Sequence, residues 1–92
     1  MRFILCYDIE SDCKRARLVK ILEDYGERIQ YSVFEFKLSD ACYLRMMDKI
    51  KKAGILDDKV CTLSIYPICE ACYKKVERFG TNKLLNEDNI IL

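Results

Sequence analysis

Arg28-Ile29-Gln30-Tyr31-Ser32-Val33-Phe34-Glu35-Phe36-Lys37-Leu38 is strand-like throughout, yet its apolar residues change phase in the middle. They fall at 29, 31 and 33 first, then at 34, 36 and 38. Side chains alternate along a strand, so a one-residue slip moves every later side chain to the other face. The stretch is therefore two strands joined by a tight turn, or one strand with a bulge, broken near Tyr31-Ser32-Val33. No glycine or proline marks the turn.

Upstream, Arg2-Phe3-Ile4-Leu5-Cys6-Tyr7 is rich in β-formers and predicts a buried first strand over residues 2–8. Ser11 and Asp12 offer an N-cap, and Ala16, Leu18, Val19, Ile21, Leu22 and Tyr25 recur at helical spacing up to the stop at Gly26. Downstream, Ser39 and Asp40 start a second helix, with Leu44, Met47 and Ile50 on one stripe and Gly54 as its stop. Met46 and Met47 read as core packing. Residues 59–66 then alternate: Cys61, Leu63 and Ile65 face one way, Thr62 and Ser64 the other, and Pro67 ends the strand. The order is β-α-β-β-α-β, an α+β, ferredoxin-like split βαβ sandwich. Residues 74–79, then Gly80 and the closing Ile90-Ile91-Leu92, suggest an extra C-terminal strand and an apolar hook. The domain is expected over residues 1–80, with 81–92 as a tail that can pack on a partner subunit.

A ferredoxin-like sheet carries its helices on one face. Yet the first strand is apolar on both: Phe3, Leu5 and Tyr7 on one, Ile4 and Cys6 on the other. An open apolar face is uncommon on a monomer. Either a homodimer stacks sheet on sheet, which we expect, or the tail folds back over its own sheet.

At 92 residues the chain reads as one domain. No run approaches the roughly 18 apolar residues that span a bilayer, and the apolar stretch after Arg2 is too short for a signal peptide. A cytoplasmic location is expected, with no membrane. Sixteen basic and 15 acidic residues leave a net charge of +1, so any nucleic-acid surface must come from local placement. Six cysteines are too few for a disulfide scaffold and should be reduced in the cytosol. Cys6, Cys42 and Cys61 read as small core hydrophobes. Cys69-Glu70-Ala71-Cys72 is a C-x-x-C with no histidine and no second C-x-x-C to complete a zinc site. It also lies after the last core strand, not after the first strand of a βαβ unit, so a redox role is disfavoured.

Chemistry concentrates around Asp8. A carboxylate at the end of a buried strand must be neutralised, hydrogen-bonded or used, and no histidine exists to share its proton. A hard metal, a basic partner or a symmetry mate is its expected company; a cap of the following turn is the simpler reading. In a two-fold dimer, two Asp8 carboxylates would repel unless a cation lay between them, and Mg²⁺ suits one or two carboxylates with water and phosphate. Lys14, Arg15, Arg17 and Lys20 make the next helix the most basic stretch, either for phosphates or as a solvated face. Arg28 either faces a phosphate or pairs with Glu27 or Glu35. Lys49, Lys51 and Lys52 suit a helix C-terminus.

These residues resemble the CRISPR-associated protein two family, small ferredoxin-like adaptation proteins. The likeness is carried by Tyr7-Asp8-Ile9, by residues 14–18, by the distinctive stretch 25–35, and by Ile65-Tyr66-Pro67 with Cys69, Cys72, Lys75 and Glu77. It covers residues 2 to about 80. The resemblance implies a homodimer that bridges copies of the CRISPR-associated integrase during spacer acquisition. It also implies that Asp8 matches the family's metal-binding acid, holding Mg²⁺ for endonuclease activity on RNA or double-stranded DNA. Arg15, Arg17, Arg28 and Phe34 match positions associated with activity, and Tyr7 flanks the acid. Members differ in whether they cut. A non-catalytic DNA-binding scaffold and a toxin-like ribonuclease of the same fold are the competing readings. An RNA-recognition module is disfavoured because its Gly- and aromatic-rich strand motif is missing.

Overall fold

A computed structural model describes residues 1–57 and 61–80. Strand β1 (Arg2–Ile9) leads to helix α1 (Asp12–Glu23), then to β2 (Glu27–Gln30) and β3 (Val33–Lys37). Helix α2 (Asp40–Lys52), a 3-10 turn (Ile55–Asp57), β4 (Cys61–Ile68) and the short α3 (Glu70–Tyr73) complete the order. The sheet runs β2-β3-β1-β4, antiparallel throughout, as the β-α-β-β-α-β pattern requires.

The phase break at residues 28–38 is both of the expected things at once. Tyr31 and Ser32 form a tight turn between β2 and β3, and the register shifts between Arg28 and Gln30. No non-glycine residue among those described has positive φ. The turn is thus not one of the mirror-image hairpin turns that Asn-Gly signals, which explains why the sequence carries no such mark.

Both long helices begin as read. Ser11 Oγ accepts the Lys14 N–H at 3.3 Å and Ser39 Oγ the Cys42 N–H at 3.2 Å. Leu18 and Leu22 of α1, with Met46 and Ile50 of α2, bury one stripe each against Phe3, Leu5, Tyr7, Ile9, Phe34 and Phe36 of the sheet. The stripe of α2 differs from the expected Leu44, Met47 and Ile50: Met46 is the fully buried methionine, and Met47 packs partly buried beside it. Leu44 is 65% exposed, and Tyr43 takes the inward place, its ring edge-on to Phe3 with centroids 5.2 Å apart. Tyr43 and Leu44 are both apolar neighbours, so periodicity had no means to separate them.

Pro67 does not end the last strand. It lies within β4 opposite Phe3, and β4 continues to Ile68. Proline is tolerated there because β4 is an edge strand, whose outer side needs no N–H.

Arg2, Ile4, Cys6 and Asp8 alternate with the buried residues of β1 and so occupy the face opposite the helices. The chain after β4 returns over this face. Glu70 accepts the Arg2 Nε–H at 2.8 Å, the Tyr73 ring lies 3.7 Å from the Arg2 guanidinium carbon, and Arg78 pairs with Glu35 of β3. Residues 74–80 are irregular, and no fifth strand occurs among the described residues. Their anchors are side chains of the sheet rather than the backbone of a sheet edge. The expected tail, 81–92, lies outside the described residues.

Candidate functional site

Asp8 stands where β1 outruns β3. The β1–β3 pairing reaches Cys6 opposite Val33; beyond it, Tyr7 donates its N–H to the Ser32 carbonyl at 3.1 Å. On the other side Asp8 lies opposite Thr62 of β4. Its carboxylate is exposed, which corrects the expectation of a buried charge. The cause is the pleat: β1 is dry on its helix face, and Asp8 belongs to the other. Desolvation therefore does not force a partner on it. No hydrogen bond or ion pair engages its side chain among the described residues. It lines a hollow of about 420 Å³ with Tyr7, Ile9, Arg15, Tyr31 and Ser32.

Arg15 reaches back from α1 to this strand end. Its Nη1 donates to the Ile9 carbonyl at 2.9 Å and its Nη2 pairs with Asp12. Arg28 donates from Nε and Nη2 to the Tyr31 carbonyl, at 3.0 and 2.6 Å. The Tyr7 hydroxyl donates to the same carbonyl at 3.0 Å. One turn carbonyl thus gathers three donors and ties the β2–β3 turn to β1 and to Arg28. Of the acids that were the alternative to a phosphate for Arg28, Glu35 pairs with Arg78 instead.

Arg15, Arg17, Lys20, Arg28 and Tyr31 line a second groove of about 560 Å³, together with Asp12 and Glu23. Arg15 and Tyr31 border both hollows, so the acid and the basic surface are continuous. Arg17 donates from Nη1 to the Ala53 carbonyl at 3.3 Å, at the C-terminal end of α2, where a cation is favoured. Phe34 is 0% exposed beneath Arg28, whose guanidinium carbon lies 5.9 Å from the ring centroid, so it contributes by packing. Tyr7 is likewise buried apart from its hydroxyl contact.

Sequence reasoning counted Tyr31 among the apolar positions 29, 31 and 33, at the break between the strands, and gave it no place in the site. Its ring is 79% exposed at the hairpin tip, 5.1 Å from the Arg28 guanidinium carbon. An aromatic placed at the phase break was the available signal. The lysines of α2 behave as expected for a helix end: Lys52 pairs with Asp48 at 2.9 Å and Lys49 lies over the Tyr25 ring.

No three metal-ligating side chains come together among the described residues. Asp8 is the one carboxylate among the described residues that line its hollow. That donor set fits Mg²⁺, which takes one or two carboxylates and fills its octahedron with water and phosphate oxygens. It does not fit a metal that needs an all-protein cage.

Residues 1–76 match the family described as CRISPR associated protein Cas2. The chain is 38% identical over 71 residues to a CRISPR-associated endoribonuclease Cas2 of Rhodospirillum rubrum; the match covers 77% of this chain and 56% of that protein. The chain thus spans little more than half the length of that relative. It is 35% identical over 80 residues to another, of Chloroflexus aurantiacus, covering 87% of this chain and 85% of the relative. Its structure resembles a chain in a solved partial Cas6-RT-Cas1–Cas2 complex, with TM-score 0.65 and 26% identity over 83% of this chain and 87% of that one.

Proposed function

Because this chain belongs to the CRISPR-associated protein Cas2 family, we propose that it is a Mg²⁺-dependent endonuclease hydrolysing phosphodiesters of RNA or double-stranded DNA. In the same reading it works as a cytoplasmic homodimer alongside the CRISPR-associated integrase, with residues 1–80 as its domain. One observation carries the proposal: an exposed Asp8 carboxylate, with no hydrogen bond or ion pair among the described residues, adjoins a groove of three arginines and a lysine.

Asp8 would hold the ion, and a second copy stacked on the part of this sheet face beyond the Arg2 and Glu35 anchors, around the half-buried Cys6 and Val33, would bring a second carboxylate to it. Held there, Mg²⁺ would supply an activated water for hydrolysis. Arg28 spends two N–H groups on the Tyr31 carbonyl and keeps three of its five donors for phosphate oxygens. The Tyr31 ring offers a stacking surface for a base, which binds irrespective of sequence. Arg15 holds the end of β1, so the Asp8 backbone is fixed relative to α1. No described helix is long and apolar enough to cross a membrane, in keeping with the cytoplasmic reading.

The test compares the purified protein with Asp8→Asn on labelled RNA and duplex DNA, in Mg²⁺ and in EDTA, after sedimentation has measured the oligomeric state. Loss of cutting in EDTA and in Asp8→Asn is expected. Cutting that survives the substitution refutes the role of Asp8. A second reading, a DNA-binding scaffold without cleavage, is favoured by the engagement of Arg15 and Arg17 with backbone carbonyls, which leaves them binding rather than reacting roles. Binding with no Mg²⁺-dependent cutting by the unaltered protein selects it.

A further inference from the structure

Three helices of this chain open on one local device. Ser11, Ser39 and Cys69 hold the N-caps, and each side-chain heteroatom accepts the N–H of the residue three further on. For Cys69 the acceptor is Sγ and the donor is Cys72, at 3.4 Å. The donor residue is therefore itself a cysteine. The extended backbone of Cys69 (φ −73°, ψ 160°) turns its sulfur over the first turn of α3, toward the side of residue 72. Both thiols are exposed.

A thiol accepts a hydrogen bond weakly and a thiolate accepts it well. The Cys72 amide thus holds the Cys69 thiol below its ordinary range, while the neighbouring Cys69 sulfur pushes Cys72 up. This asymmetry distinguishes an attacking sulfur from a resolving one. The turn they close is not loose, since Glu70 within it and Tyr73 next after it clasp Arg2 at the start of β1.

We propose that Cys69 and Cys72 form a reversible dithiol–disulfide pair, oxidised by a low-molecular-weight disulfide such as oxidised glutathione, with Cys69 attacking and Cys72 resolving. The Cys69 thiolate attacks one sulfur of the small disulfide; a mixed disulfide forms and one small thiolate leaves. Cys72 then loses its proton to solvent and attacks Cys69 Sγ. The intramolecular S–S bond forms and the second small thiolate leaves. Two protein thiols are oxidised and one small disulfide is reduced to two thiols; excess small thiol reverses both steps. The disulfide would close covalently the turn that docks on Arg2, on the sheet face opposite the helices.

The full-length protein is equilibrated in glutathione buffers of graded ratio, quenched in acid, alkylated, and each cysteine read by peptide mass spectrometry. A Cys69–Cys72 disulfide that forms in oxidising buffer and reverts in reducing buffer is expected. Cys72→Ser should accumulate the glutathione adduct at Cys69, whereas Cys69→Ser should modify Cys72 about tenfold more slowly or less. Serine at 69 retains an N-cap oxygen, and circular dichroism of both variants checks that the fold persists. Equal trapping by the two variants, no adduct in Cys72→Ser, or modification of the exposed Cys13 as fast as Cys69 would each overturn the proposal.

Discussion

Gly26 and Gly54 both sit where a helix stops, but they are glycines for different physical reasons, and substitution separates them. Gly54 has φ +70°, and a Cβ there would lie 3.4 Å from Asp57 Oδ2, in ordinary contact. Its constraint is the left-handed backbone, which costs an L-residue roughly 1–2 kcal/mol and which asparagine tolerates better than alanine. Gly26 has no positive φ. A Cβ there would lie 2.6 Å from the Glu35 carbonyl oxygen and from Phe36 Cε1, and would also strike Phe36 Cδ1. Neither neighbour can yield: Glu35 is in β3, an inner strand of the sheet, and Phe36 is buried and stacked on Phe3 with centroids 4.7 Å apart. Overpacking of this kind costs about 1–3 kcal/mol, of which the lower chain entropy of alanine in the unfolded state returns about 0.4–1.

We therefore expect Gly26→Ala to lose about 1–2 kcal/mol, and for a domain of this size to melt roughly 5–15 °C lower. Gly54→Ala should lose about 1 kcal/mol. The deciding pair is asparagine: Gly54→Asn should recover part of the alanine loss, whereas Gly26→Asn, being larger, should be worse than Gly26→Ala. Thermal and urea unfolding at one fixed protein concentration measure all four, because any association makes the midpoint concentration-dependent. A Gly26→Ala protein within about 0.5 kcal/mol of the parent, the spread of ordinary surface substitutions, would refute the steric reasoning. So would recovery by asparagine at 26.

Tyr7→Phe removes one of three donors to the Tyr31 carbonyl while Arg28 still satisfies it, so a loss of about 0.5–1.5 kcal/mol is expected in urea unfolding, with the β2–β3 turn intact by NMR. The Glu70 carboxyl is held below the usual carboxylate range by its hydrogen bond from Arg2. Its pairing is therefore complete above that range and is lost as pH falls through the lowered value, loosening α3 from β1. An NMR titration of the Tyr73 ring should show a midpoint below the normal glutamate value, returning to normal in Arg2→Ala; equal midpoints in the two proteins would contradict the pairing.

Local chemistry determined much of this protein. Serine N-caps, helical stripes and the phase break at residues 28–38 follow from short-range sterics and from which side chains avoid water, and these are written in neighbouring residues. They set the element order, and the family signature around Asp8 and residues 25–35 carried the resemblance that the comparisons support. Tertiary structure decided what depends on residues far apart in the chain. It chose Tyr43 over Leu44 by offering Phe3 as a partner, and it admitted Pro67 to a strand by placing β4 at an edge. It exposed Asp8 because helices cover one face of β1 and not the other. It also gathered Arg15, Arg28 and Tyr31 beside that acid through a single turn carbonyl and a strand end. Periodicity reports which face of an element is apolar; only packing reports what stands opposite each face.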